Sequence, residues 1–264
     1  MTRSVLITGA TSGIGRLAAL ELARRGHRVL VHGRTAAKVD AVVAELGGEA
    51  QGFVADLSRR ADVEALARDV AGRVDRLDVL LNNAGVFKMA QPVTDDGEDL
   101  RFVVNALAPW ILVKRLLPLL PDDGRVVNVA SAAQKPVDLD ALQGRRHLEE
   151  YDAYAQSKLA MTMGSMHLAR SIGAGGPTII ALNPASLLAT KMVHEAFGIP
   201  GKDANIGRDV LVEAAVGDTF ADRQGAWFDN DAGAFAEPHA HAQDAARCAA
   251  VVEVLDRLIE GPVR

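Results

Sequence analysis

Short runs of consecutive apolar, often β-branched residues recur along this chain, and helical stretches separate them. The runs at residues 4–8 (SVLIT), 28–32 (RVLVH), 52–55, 77–82 (LDVLLN), 124–130 (GRVVNVA) and 178–183 (TIIALN) read as strands. Helical patterns fall at residues 13–25, 36–46, 58–73, 100–120 and 151–172. A strand without a polar face must be covered on both sides, as in a parallel sheet with helices above and below it. Right-handed crossovers wind such a sheet twice and leave ligand crevices at the carboxyl ends of its strands. The expected fold class is therefore α/β, a doubly wound parallel sheet. Beyond residue 183 the rhythm weakens. Residues 184–225 are rich in small residues and single charges, 226–228 read as a last short strand, and 242–259 as a closing helix. No linker, repeat or low-complexity tract interrupts residues 1–264, so a single domain is expected.

With 49% hydrophobic and 24% charged residues among its 264, the chain has enough apolar surface for a core that needs no disulfide staples. A net charge of −5 gives no electrostatic reason to expect nucleic acid or an anionic membrane as partner. Cys248 is the single cysteine, which leaves no internal disulfide and suits a reducing compartment. The N-terminal MTRSVLITGATSGIG lacks the apolar run and cleavage site of a signal peptide. The most membrane-like window, 102–120, contains Asn105, Pro109, Lys114, Arg115 and Pro118, which are costly in lipid. A buried amphipathic helix, no membrane association and a cytoplasmic location are the expectations.

Between the first strand and the first helix lies TGATSGIG, with Gly9, Gly13 and Gly15 at the turn. Backbone that approaches a phosphate closely has no room for a Cβ, and the following helix aims its free N–H groups and positive dipole end at the same point. The spacing Gly-x-x-x-Gly-x-Gly differs from the commonest dinucleotide fingerprint, and the Gly-Lys-Ser/Thr of a triphosphatase loop is absent. A plain tight turn is the bland alternative. Position favours a dinucleotide, with Gly9, Thr11, Ser12, Gly13, Ile14 and Gly15 as its contacts. At the end of the second strand stands His32-Gly33-Arg34, with no carboxylate until Asp40. A carboxylate there would bind a ribose 2′-hydroxyl, whereas the guanidinium of Arg34 matches a 2′-phosphate. NADP(H) is thus expected over NAD(H), against the alternative of a solvated loop arginine.

The run EEYDAYAQSKLA places Tyr154 and Lys158 four residues apart, on one helix face. A phenol normally holds its proton at neutral pH, and a nearby ammonium favours the phenolate. Tyr151 has Ala155 at the corresponding spacing and so lacks that partner. Ser131 follows the fifth strand at the ligand edge, where its hydroxyl can steady a developing alkoxide or merely cap a turn.

TGATSGIG, NNAG (residues 82–85), Asn105, Ser131 and Tyr154-x-x-x-Lys158 occur in the order found in short-chain dehydrogenases/reductases, and the chain resembles that family along nearly its whole length. The resemblance implies a Rossmann-type fold and hydride transfer between a nicotinamide cofactor and a carbonyl/alcohol pair. It implies Tyr154 as the acid/base, Lys158 to lower its pKa and hold the nicotinamide ribose, Ser131 to orient substrate, and Asn105 to support a proton relay through water. Asn82, Asn83, Ala84 and Gly85 would line the adenosine ribose and stabilise the sheet, and Asp56 with Leu57 would meet the adenine edge. A long charged stretch before Tyr154, together with the HGR of residues 32–34, is similar to the retinol-dehydrogenase-like branch, which favours NADP(H). Helices 100–120 and 151–172 form the usual subunit interface of the family, which implies a homo-oligomer.

The chain also departs from that pattern. Pro184-Ala185 stands where the family commonly has Pro-Gly, and Thr190 comes one residue late; the resemblance still implies Pro184 and Thr190 as cofactor contacts, Thr190 at the nicotinamide carboxamide. Residues 186–225 are expected to supply the substrate pocket, with Leu187, Leu188, Met192, Val193 and Phe197 lending it apolar character. His239 and His241 lack a third ligand, so no metal site is expected. Met161, Met163 and Met166 are read as gap-filling packing. Two rivals stay open: a nucleotide-sensing binding protein without turnover, and an enzyme that uses the cofactor for isomerisation or dehydration.

Overall fold

In the computed structural model, which describes residues 2–94 and 97–261, strands β1 (Ser4–Ile7), β2 (Arg28–Gly33), β3 (Gln51–Val54), β4 (Val79–Asn82), β5 (Arg125–Val129), β6 (Thr178–Asn183) and β7 (Ala226–Asp229) run parallel. A short β8 (Ala234–Ala236) pairs antiparallel with β7, and the order is β3-β2-β1-β4-β5-β6-β7-β8. The remaining residues of the 1–264 range lie outside the described part. Side chains alternate across the sheet. Val5 and Ile7 enter one apolar cluster and Leu6 the other, all fully buried, as a sheet covered on both faces requires. The winding reverses between β1 and β4, which puts the crevice at the carboxyl ends of those two strands.

One face is covered by α1 (Gly13–Arg24) and α2 (Ala36–Leu46). The other takes α3 (Arg60–Arg73) and a long helix made of α4 (Leu100–Phe102), a π-helical turn (Val103–Leu107) and α5 (Ala108–Leu116). After β5 come α6 (Leu139–Leu142) and α7 (Glu150–Ile172), and after β6 come α8 (Lys191–Phe197) and α9 (Ala204–Val216). The chain ends in α10 (Ala240–Gln243) and α11 (Ala245–Glu260).

Three results differ from expectation or extend it. Residues 184–225 hold two helices, and α9 belongs to the core: Leu211, Ala214 and Ala215 are fully buried beside the residues of α1. Only the stretch up to about α8 lies as an open border, because α9 has the small residues that close packing needs. A Cβ on Gly207 would lie 2.8 Å from Ile14 Cγ2. Second, residues 100–119 are apolar and long enough to cross a membrane, yet 72% of that span is buried inside the fold. Third, α11 lies along α7 and buries its outer side through Cys248, Val251, Val252 and Leu255. Asp256 of α11 accepts the Trp110 indole N–H at 2.7 Å, and Lys114 lies 3.3 Å from the same carboxylate. These contacts bury part of the α5 and α7 surface within one chain.

Candidate active site

The turn between β1 and α1 is held from three sides. Gly9 and Gly13 have φ of 68° and 55°, the region glycine enters without cost. The Thr8 hydroxyl accepts the N–H groups of Asn83 and Ala84, each at 3.0 Å, and Asn83 Nδ2 donates back to Thr8 O at 2.9 Å and Gly9 O at 3.3 Å. A Cβ on Gly15 would stand 2.3 Å from Asn83 Nδ2, so that glycine serves the packing of the amide beneath the turn. The third support is His32, buried at the end of β2. Its Nδ1 accepts the Gly9 N–H at 3.2 Å and its Nε2 meets Ala55 O at 3.1 Å. Those partners define a neutral ring with the proton on Nε2, and burial holds its pKa down at about 4. His32 is a site residue that sequence reasoning missed; a polar side chain inside the apolar run RVLVHG was the available signal.

At the start of α1, Ser12 makes no side-chain cap and the first turn carries no acid. The free N–H groups of this helix start are thus left for an anion, as at other uncapped helices of the fold such as α2, but here they face the glycine turn. Gly33 is required by Thr11, whose methyl would sit 2.4 Å from a Cβ there. Arg34 follows it, exposed, with no hydrogen bond or ion pair among the described residues. Asp56 binds the Ser58 amide and hydroxyl through one oxygen. Leu57 is buried, its side chain in the apolar core. Glycine turn and uncapped helix start together fit the phosphates of a dinucleotide.

The second half of the site stands at the ends of β4 and β5. Lys158 is buried and donates to Val129 O at 2.8 Å, with its Nζ 6.0 Å from the Tyr154 ring centre. Burial lowers its pKa to about 8. Burial also pushes the Tyr154 phenol above its ordinary value, while a hydrogen bond with the Ser131 hydroxyl acts the other way. The expected lowering of the phenol involves the positive nicotinamide ring of a bound oxidised cofactor as well as Lys158, whose ammonium is here held against Val129 O. Gly85 fits between Lys158 Nζ and Asn105 Oδ1, 3.2 Å and 3.3 Å from where its Cβ would be. Asn105 sits in the π-helical turn, whose wider winding frequently marks a functional position. Its amide pairs with both backbone groups of Val86 (2.8 Å and 2.9 Å) and donates to Ser157 Oγ at 2.9 Å. The side chain anchors the loop after β4. Asn82 is likewise inward, donating to Asn128 Oδ1 at 2.8 Å. This bond ties the end of β4 to β5.

Above Tyr154 lies a group of aromatic rings. Phe87 stacks against Tyr154 with centroids 4.6 Å apart and reaches Tyr151 (6.5 Å) and Phe197 of α8 (5.9 Å). Phe87 escaped the sequence reading because nothing local marks it; the loop after β4 brings it here. Of the residues expected to line an apolar pocket, Leu187 and Phe197 are exposed at the border, Met192 and Val193 are half-buried, and Leu188 is core. Pro184 ends β6, and Thr190 reaches the glycine turn: its Cγ2 is 3.6 Å from the Cβ position of Gly13. The Thr190 hydroxyl caps α8 through Val193 N–H. His239 and His241 are apart from all this, His239 capping α10.

A family model described as short chain dehydrogenase matches residues 3–198. Human retinol dehydrogenase 13 is 29% identical over 93% of this chain and 81% of its own length. Further retinol and polyprenol dehydrogenases of mouse match over about three fifths of their own length. Among solved structures, an uncharacterised protein from Mycobacterium paratuberculosis superposes with a TM-score of 0.81 at 30% identity, covering 99% of this chain and 95% of that one. A short chain dehydrogenase from Shigella flexneri complexed with NADP gives 0.68 at 29% identity, covering 87% and 97%.

Proposed function

Since this chain belongs to the short-chain dehydrogenase family, on its retinol-dehydrogenase-like branch, we propose that it transfers hydride between NADP(H) and an apolar carbonyl/secondary alcohol pair. The observation that carries this reading is the meeting of the Ser131 hydroxyl, the Tyr154 phenol and the Lys158 ammonium at the carboxyl edge of β5, beside the glycine turn. The nicotinamide, when bound, supplies or accepts the hydride. In the reducing direction Ser131 donates to the carbonyl oxygen, and Tyr154 delivers its proton as that oxygen becomes an alkoxide. Lys158 then stands ready to stabilise the phenolate that remains, its charge strengthened by the dry surroundings. Phe87, Tyr151 and Phe197 favour an apolar substrate over a charged one. Arg34, exposed just past β2 and without a partner among the described residues, supports NADP(H), as does the NADP carried by a structural neighbour.

Dissociation constants for NADPH and NADH at one salt concentration test the cofactor reading. The expected result is tighter NADPH binding and loss of that preference in Arg34→Ala. Equal affinities in the wild type would sink the Arg34 argument. Absence of binding by either nucleotide would sink the dehydrogenase reading.

A further inference from the structure

The turn after β7 reads Asp229-Asn230-Asp231, and all three side chains reach across to the segment that leaves β6. Asn183 Nδ2 donates to Asp229 Oδ1 at 2.8 Å and to Asp231 Oδ2 at 2.9 Å. Asp231 also accepts the Ser186 amide at 3.0 Å, the Ser186 hydroxyl, and the Lys202 ammonium at 3.3 Å. Asn230 donates its side-chain amide to Pro184 O at 3.0 Å and its backbone N–H to Asn183 O at 3.1 Å. The segment held in this way is strained. Ala185 has φ of 104° and Leu187 of 56°, on either side of Ser186, and non-glycine residues persist there only when their surroundings over-determine them. Three residues on, Thr190 rests against Gly13 of the glycine turn.

We propose that Asp231 is a positioning residue, whose carboxylate holds residues 184–187 in their strained path and so sets Thr190 against the glycine turn as one wall of the cofactor site. This rests on the dinucleotide reading given above. One contact of the cluster, from the Asp231 N–H to Asp229 Oδ1 (3.1 Å), stays inside the β7–β8 turn; the others run to the β6 segment, to Lys202 beside it, and from Asn230 Nδ2 to Ile206 O of α9 at 3.4 Å. Stabilising its own hairpin therefore does not account for the cluster. The same contacts hold the Asp231 carboxyl down at about 2, charged throughout the working pH range.

The experiment compares the full chain with Asp231→Ala and with Asp231→Ala/Ala185→Gly, by amide exchange without nucleotide and by NADPH titration. A clamp that no longer holds leaves the segment competent for only part of the time, and apparent affinity falls by that fraction. The expected result for Asp231→Ala is faster exchange confined to residues 186–190, with β1, β4 and β5 unchanged, and NADPH affinity lower by about tenfold. Glycine accepts the backbone at position 185 without help, so Ala185→Gly should restore most of that affinity in the double variant. Wild-type exchange and affinity in Asp231→Ala would overturn the proposal. A uniform rise in exchange across the sheet would also overturn it, since that marks a general stability role. A wild type that binds no NADPH would instead refute the cofactor reading and the wall with it, while the exchange arm still reports whether Asp231 holds the segment.

Discussion

Burial decides the protonation of the key side chains, and for each of them it opposes charge. Tyr154 is raised above the ordinary phenol value and Lys158 lowered to about 8. A phenol that keeps its proton suits reduction, and an ammonium that titrates near 8 limits the alkaline side. Carbonyl reduction should therefore hold through neutral pH and decline as the pH passes about 8, which a kcat/KM profile for NADPH-dependent turnover will show. Tyr154→Phe should lose at least about a hundredfold in kcat while retaining NADPH affinity; full turnover in that variant would refute the phenol's role. For His32 the folded pKa of about 4 lies below the unfolded 6.5. Between those values the unfolded chain takes up a proton and the folded chain does not, so stability is complete above pH 6.5 and declines as pH falls toward 4. The greatest effect is about 3 kcal/mol, read as the difference in acid-limb melting temperature between wild type and His32→Asn. Of these residues, Tyr154, Lys158 and Ser131 are legible from spacing and order. His32 is not, because its role depends on Gly9 and Ala55, which only the sheet brings to either side of the ring.

At the scale of elements, the glycine turn and α1 behave as one piece. Gly15 lies inside the helix, where conformational freedom is not the issue; the obstacle to a side chain there is Asn83 Nδ2 at 2.3 Å and Gly9 O at 2.6 Å. Gly15→Ala should then cost more stability than the exposed Gly26→Ala, whose Cβ has open space though its φ is 82°. Thermal melts of the two variants, with NADPH titration of Gly15→Ala, check this; equal melting shifts would contradict the packing argument. The strand and helix pattern of the first half was readable because apolar runs with period-breaking glycines mark each element. The π-helical turn at Asn105, helix α9 and strand β8 were not. The first needs a buried partner, here Val86, and the second packs through Gly207, Val210, Leu211, Ala214 and Ala215, a helical stripe that the small residues and single charges around it obscured. The third, AFA, is three residues long and acquires its strand geometry from pairing with β7.

Over the whole molecule, α11 packs along α7, and we propose that it screens the adjoining part of α5 from a second chain. Its apolar residues are core, and Asp256 is tied to Trp110 and Lys114. We expect sedimentation equilibrium across micromolar concentrations to return one species of 27.9 kDa. A species of twice that mass would show that some other face associates. The order of elements, the doubly wound sheet, the glycine turn and the Tyr154–Lys158 pair were all determined by the sequence itself, since each depends on local periodicity or on residues a turn apart. The tertiary structure alone decided what meets across long separations: His32 under Gly9, Phe87 on Tyr154, the Asp231 turn on the β6 segment, and α11 over α7. Local pattern specifies which face of an element is apolar, but the partner of a polar or aromatic side chain is chosen by the sheet order and by which small residues allow close approach.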